Sequence, residues 1–318
     1  MEELKRVAIT GIGGYVGTKL MHILEERNYC EKIIGIDVRE PKQLLSKTKF
    51  YKMDIRDEKL QDIFKEEGIT AVVHLAFILN PIHNQFLMRD INYNGTANVL
   101  KALRACRAKR FLYFSSTTAY GAWKDNQVPL KEDAPLRGNP DFEYANDKIC
   151  VEAMMDAFKK ENPDVKITIF RPCVIIGPNV DNYIAAGFLQ KVFPLMFNAN
   201  PPWQFVHEDD VVNATVAALE KGKAGIFNLA GDGTLTLEEC VKMAGGIVVR
   251  LPKFIVYIMA SILWDLRIPL IRSSAGVLEY LEHSWITDNS RLKNDLGYQP
   301  KYTSSEAYLS FLKAKNKI

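Results

Sequence analysis

Apolar residues in the first half of the chain fall in short unbroken blocks, the pattern of strands buried on both faces. The blocks occupy 6–9, 32–37, 50–53, 71–76, 110–116 and 165–170. Between them apolar residues recur every three or four positions, as with Leu20, Ile23 and Leu24. A helix is expected from Asp57, a long one over 84–108 that offers Phe86, Met88, Ile91, Val99, Leu100 and Leu103 for burial, and another over 142–160. Strands alternating with helices predict α/β architecture with parallel βαβ units in a doubly wound sheet. Past Arg171-Pro172 the rhythm changes. The stretch 177–202 carries Pro178, Pro194, Pro201 and Pro202 and reads as a lobe rather than a sheet element. Segments 204–206, 209–220 and 225–229 are able to return to the core. Thr236 with Glu239 has the spacing of a capping box, and from Gly246 onward the chain is expected to be mostly helical. Residues 1–171, joined by 204–230, therefore form the sheet domain, and 172–203 with 231–318 form a smaller, mainly helical lobe.

Composition narrows the class without naming a function. The 318 residues are 47% hydrophobic and 25% charged, which excludes a disordered chain. A net charge of +3 and the lack of a dense basic block argue against a nucleic-acid partner; Arg104, Arg107, Lys109 and Arg110 read as a solvated helix end. Cys30, Cys106, Cys150, Cys173 and Cys240 are odd in number, scattered and without a C-x-x-C pair. Neither a metal nor a disulfide framework is indicated, and a cytoplasmic protein with reduced thiols is expected. The chain enters a strand at once, which leaves no signal peptide expected, and its longest apolar run, 254–264, is too short to span a bilayer.

Three groups of residues carry chemistry. The first is Thr10-Gly11-Ile12-Gly13-Gly14-Tyr15-Val16-Gly17, between a strand and a helix. Glycine permits a tight turn and close approach of a pyrophosphate to the amides at a helix N-terminus, where the dipole favours an anion. The second is Asp37, twenty residues beyond Gly17, placed to accept hydrogen bonds from an adenosine ribose. A carboxylate there repels a 2′-phosphate by roughly 4 kcal/mol per unit charge at 4 Å and an effective dielectric near 20, so NAD is favoured over NADP. The third is Tyr144 with Lys148, four apart on one helix face. An ammonium held near a phenol favours the phenolate and so makes tyrosine a usable base. Ser116, at the carboxyl end of the block 110–116, is positioned to hold a substrate oxygen beside Tyr144.

Taken in order, these residues resemble a known family. The spaced glycines, Asp37, Asp54-Ile55, Leu75-Ala76-Phe77, Asn92-Tyr93-Asn94-Gly95-Thr96, Ser115-Ser116-Thr117-Thr118-Ala119-Tyr120-Gly121, Tyr144/Lys148 and Arg171-Pro172 occur in register. So do the segment 205–211 and a tail running from Trp285-Ile286-Thr287-Asp288 to Leu296-Gly297-Tyr298. The whole chain is similar to the extended or atypical short-chain dehydrogenase/reductases, the NAD-dependent epimerase/dehydratase family. That resemblance implies a Rossmann domain, NAD as cofactor and a catalytic triad of Ser116, Tyr144 and Lys148. It places Gly11, Gly14, Tyr15, Val16 and Gly17 on the pyrophosphate, Asp37 on the ribose, and Asp54 and Ile55 on the adenine. Leu75, Ala76, Phe77 and Asn92 would follow the middle of the cofactor, with Tyr144, Lys148, Pro172 and Cys173 at the nicotinamide. The implied reaction is hydride transfer between NAD and a secondary alcohol or ketone, proton transfer falling to Tyr144. A homodimer is also implied, with Leu87, Ile91, Met154, Met155 and Phe158 available for its seam.

The chain departs from the family pattern where the substrate would lie. Thr117-Thr118 replace the Asp-Glu pair of the dehydratases, which removes the acid and base of an elimination. Val174 and Trp203 stand where nucleotide-sugar enzymes carry Asn and Arg on the sugar-nucleotide phosphates. Tryptophan for arginine exchanges a charge-assisted contact for an apolar face. The run 254–264 reads as lobe core or dimer helix, with an apolar pocket or a membrane-surface contact as alternatives. Three functions remain open: oxidoreduction of a small, possibly apolar alcohol, a nucleotide-sugar 4-epimerase, and an NAD-binding regulatory or assembly protein.

Overall fold

A computed structural model describes residues 4–267 and 275–317. The chain begins β1 (Arg6–Thr10), α1 (Tyr15–Glu25), β2 (Lys32–Asp37), β3 (Thr48–Lys52), α2 (Leu60–Glu66) and β4 (Ala71–His74). Next come α3 (Gln85–Arg89), α4 (Gly95–Cys106), β5 (Arg110–Phe114), α5 (Glu143–Glu161) and β6 (Lys166–Pro172). The second half supplies β7 (Val174–Ile176), α6 (Tyr183–Phe188), β8 (Val192–Met196), β9 (Pro202–Trp203), β10 (Phe205–His207), α7 (Glu208–Lys221) and β11 (Gly225–Leu229). It then adds β12 (Leu235–Thr236), α8 (Leu237–Met243), β13 (Ile247–Leu251) and α9 (Lys253–Asp265).

Seven strands pair in the order β11-β6-β5-β4-β1-β2-β3, every neighbour parallel. Chain direction along the sheet reverses between β1 and β4, and ligands of open α/β sheets bind outside the strand carboxyl ends at such a reversal. One face of the sheet is covered by a core containing Leu20, Met21 and Leu24 of α1 and Val211, Val212 and Leu219 of α7. The other carries Leu60 and Phe64 of α2, Val99 and Leu103 of α4, and Val151 and Met155 of α5. Met155 is 1% exposed, so the sequence-based placement of this residue on an intersubunit seam fails; the same helix turns it into the core.

Three further expectations are corrected. The segment 177–202 is not free of sheet: β8 pairs in parallel with β13, Pro194 facing Val249. A two-stranded ribbon is all edge, where a missing N–H is tolerated. The stretch after Gly246 accordingly opens with a strand, and the part of the helical expectation over 268–274 lies outside the described residues. Helix α9 is not lobe core, since Val256 and Ala260 are its only buried residues while Phe254 (65%), Ile258 (54%) and Ile262 (51%) are exposed. It is tethered by Tyr257 Oη donating to Glu279 Oε1 at 2.6 Å and by Trp264 stacked on His83. The lobe's own core gathers Phe188, Trp203, Phe205, Tyr280, Trp285, Tyr308 and Phe311.

Candidate active site

The carboxyl ends of β1, β4, β5 and β6 deliver Gly11, Leu75, Ser115-Ser116 and Cys173 to one edge of the sheet. Gly11 has φ +78°, and a Cβ there would lie 2.6 Å from Ala76 N, so the turn rests directly on the backbone after β4. A Cβ on Gly17 would lie 2.4 Å from Gly11 O, and one on Gly13 2.3 Å from Arg39 O. Gly14 is the N-cap of α1, whose first turn has neither a side-chain cap nor an acidic residue. The positive end of the helix is left for an external anion. Asp37, at the end of β2, accepts from Gly13 N and Arg39 N, both at 2.9 Å, which ties the acid to the glycine turn. A cradle that any side chain would fill, uncapped amides and an adjoining acid are the features a dinucleotide needs, and these residues fit one.

Other sequence-indicated residues are placed less simply. Asp54 is held below the usual carboxylate range by Arg56, whose guanidinium it contacts at 2.7 Å. Ile55 is buried beneath Gly95, where a Cβ would lie 2.5 Å from its Cδ1. The expected long helix over 84–108 is interrupted by one π-helical turn, Asp90–Asn94. Within it Asn92 is fully buried, accepting from Ile78 N at 2.8 Å and donating to Asp147 Oδ2 at 3.0 Å. Asn92 thereby pins the loop after β4 to α5.

Helix α5 carries Tyr144 and Lys148 and buries Asp147, Lys148 and Glu152 alongside apolar residues. Lys148 is 2% exposed and donates from Nζ to Phe114 O at 2.6 Å. Its nitrogen also lies 3.3 Å from the centre of the Phe77 ring and 5.4 Å from that of Tyr144. Burial pushes the lysine well below its ordinary pKa, against the pull of Glu152 and Asp147. Burial pushes the Tyr144 phenol up, and the Ser116 hydroxyl only partly opposes it. Desolvation thus opposes the charged forms that the expected ammonium–phenolate pair requires. Ser116 caps the 3₁₀ turn Thr117–Tyr120, and its Oγ accepts from Thr118 N at 3.1 Å and from Thr118 Oγ1 at 2.8 Å. With its lone pairs occupied by Thr118, the serine has its own proton left to donate.

Behind this edge, Glu152 pairs with Arg171 at 2.5 Å and accepts from Ser115 Oγ, while Arg171 also donates to Tyr120 Oη at 2.8 Å. The network ties the end of β5 to α5.

Ser116, Tyr144, Pro172, Cys173, Val174 and Trp203 share an open cleft between the sheet edge and the lobe. Among the described residues lining it, none is charged. The pattern-based reading of the sequence does not single out Tyr183 or Tyr280, which join Trp285 in the cleft wall. Tyr183 and Tyr280 are isolated aromatics in short or irregular segments, so no periodicity marks them; Trp285 opens the tail whose motif is visible in the sequence.

Residues 7–230 match the sequence profile of the NAD dependent epimerase/dehydratase family. An uncharacterized protein of Mycobacterium tuberculosis is 26% identical over 318 residues, 98% of this chain and 84% of that one. A UDP-glucose 4-epimerase of Yersinia pestis is 29% identical over 272 residues, 73% of this chain and 80% of its own length. Among solved structures, the UDP-glucose 4-epimerase of Thermotoga maritima with UDP-glucose superposes with TM-score 0.77 at 22% identity, over 98% of this chain and 99% of that one. The Thermus thermophilus UDP-glucose 4-epimerase in complex with NAD gives TM-score 0.77 at 19% identity, with the same coverage.

Proposed function

The chain belongs to the NAD dependent epimerase/dehydratase family, and on that premise we propose that it is an oxidoreductase acting on a neutral secondary alcohol or its ketone. The observation that carries the substrate half of this reading is the cleft, open to Ser116 and Tyr144 and free of charge among its described lining residues. The turn Gly11 to Gly17 and the first amides of α1 would hold a pyrophosphate, Asp37 the adenosine ribose and Lys148 the nicotinamide ribose. Bound in this way, NAD supplies the two-electron redox chemistry. Tyr144 Oη holds the proton that moves to or from the substrate oxygen. Ser116, its acceptor sites taken by Thr118, donates to that same oxygen and keeps it facing the phenol. Lys148 spends one N–H on Phe114 O and keeps donor capacity for a ribose.

Tyr144→Phe keeps the ring packing and removes the proton. It is expected to lower kcat by about 10²–10⁴-fold with little change in NAD affinity, read by NADH absorbance on a panel of neutral alcohols and by calorimetry. Full activity in this variant would overturn the assignment. A second reading, a nucleotide-sugar 4-epimerase, is favoured by the likeness to UDP-glucose 4-epimerases over nearly the whole chain. Interconversion of UDP-glucose and UDP-galactose without net NADH would establish it.

We further assign residues 1–171 with 204–230 to cofactor binding and 172–203 with 231–318 to substrate binding. The pairing of β11 with β6 and the packing of α7 beside α1 support that division. The reading includes a cytoplasmic homodimer. Five unpaired cysteines support a reducing compartment, and no helix among the described residues is long and apolar enough to cross a membrane. Phe86, 91% exposed, and Leu87, 39% exposed, support a dimer seam near α3; elution as a monomer at micromolar concentration would exclude it.

A further inference from the structure

Three cleft residues end in polar atoms that the protein leaves unanswered. Among the described residues, Tyr183 Oη, Trp203 Nε1 and Trp285 Nε1 are buried without a hydrogen-bond partner, and all three residues line the cleft. The tryptophans are 6% and 5% exposed. They meet edge to face with ring centres 5.5 Å apart, and Phe188 and Tyr280 close the corner at 5.6 and 5.3 Å. Phenylalanine would satisfy that packing without burying an unmatched donor, which costs stability. An indole N–H can only donate. With no charged side chain among the described lining residues, the part of a ligand that reaches this corner is uncharged.

We propose that Trp203 and Trp285 are specificity residues that read a neutral hydrogen-bond acceptor, an ether or carbonyl oxygen, on an apolar or aromatic part of the substrate remote from its reacting carbon. The inference rests on the neutral-alcohol reading above and adds to it a second recognition point. The substrate class is thereby an aromatic or alicyclic alcohol bearing one further acceptor oxygen. Tyr183, which can donate or accept, lies in the same wall and tolerates a hydroxyl on that oxygen as well as an ether.

The test uses the NAD-loaded protein and a matched pair of probes, a para-methoxyphenyl cyclohexanol and its para-ethylphenyl isostere, which differ by one acceptor oxygen. Calorimetry is expected to show the methoxy probe binding about tenfold tighter, the scale of one net hydrogen bond. Trp203→Phe combined with Trp285→Phe is expected to bring that ratio to about one while retaining the aromatic packing. A second measurement needs no variant. The chain has four tryptophans, so its indole N–H proton resonances are few; those of Trp203 and Trp285 are expected to shift with the methoxy probe and not with the ethyl one. Equal affinities with turnover of both probes would overturn the inference and leave the neutral-alcohol reading standing. Binding of UDP-glucose with neither probe bound would sink both. Binding of neither probe, or a methoxy preference that persists in the folded double variant, would also overturn the inference.

Discussion

His74 and Lys148 show how far desolvation sets the chemistry of single residues in this protein. His74 is fully enclosed between Thr10 Oγ1 at 2.6 Å and Thr96 Oγ1 at 2.9 Å, and burial with the nearby lysine lowers its pKa to about 3. Between that value and the ordinary 6.5, the unfolded chain binds a proton that the folded chain refuses. Folding stability is therefore lost as pH falls through this window, by about 1.4 kcal/mol per pH unit from this group. Urea titrations across pH 6.5 to 4 are expected to show a slope smaller by that amount in His74→Phe, although the variant is less stable throughout. An unchanged slope would mean His74 is protonated in the fold. Asp37 offers a different residue-scale test. Its carboxylate is fixed by two backbone amides beside the glycine turn, so a 2′-phosphate would meet a charge that cannot swing away. Wild-type protein is expected to bind NAD at least about tenfold tighter than NADP, the ratio collapsing in Asp37→Ser. Equal affinities in the wild type would remove Asp37 from the ribose site.

At the scale of elements, the sequence is most informative where one physical demand dominates. Strands β1, β2, β4, β5 and β6 are legible because burial on both faces requires unbroken apolar runs, and the glycine turn because three positions admit no Cβ. Gly11→Ala places a methyl 2.6 Å from Ala76 N at a φ of +78°, and is expected to abolish measurable NAD binding while a thermal melt still shows a folded chain. Retained affinity would show that the turn is only structural. Helix α5 is poorly marked as amphipathic because its buried positions include Asp147, Lys148 and Glu152, the last paired with Arg171, among the apolar ones. The π turn at Asp90–Asn94 leaves no mark on a helical pattern, since it adds one residue to one turn; only its consequence, a buried Asn92, betrays it. Strands β8 and β13 are missed because Pro194 argues against a strand and the partner lies more than fifty residues away. The same long-range packing decides α9. Leu278 joins Met196, Val256 and Ala260 beneath that helix, so Leu278→Ala is expected to cost about 2–5 kcal/mol in denaturant titrations, against about 0.5 kcal/mol or less for exposed Ile258→Ser.

For the molecule as a whole, fold and substrate are separable. The sheet and lobe superpose on UDP-glucose 4-epimerases across nearly their full length, yet at 22% identity that likeness fixes architecture alone. The character of the cleft is set by how the lobe finishes it. Strand β9 presents Trp203 through its pairing with Leu235 in β12, and β7 presents Val174 beside Phe205 of β10. Both strands belong to two-stranded ribbons outside the main sheet. The family pattern visible in the sequence places Asn and Arg at these two positions in nucleotide-sugar enzymes. Replacing Val174 by Asn and Trp203 by Arg should therefore move the cleft toward a diphosphate. Hydrogen bonds to a charged group contribute about 1.5–3 kcal/mol, so the double variant is expected to gain about tenfold or more in affinity for UDP. Without ligand the new guanidinium lies against Phe188 and Trp285, so the same variant is expected to melt at lower temperature and to recover part of that loss when UDP is added. Calorimetry and thermal melts read the two effects separately. A wild-type protein that already binds UDP at micromolar concentration, unimproved by the exchange, would place phosphate recognition elsewhere on the cleft and return the epimerase reading to first rank.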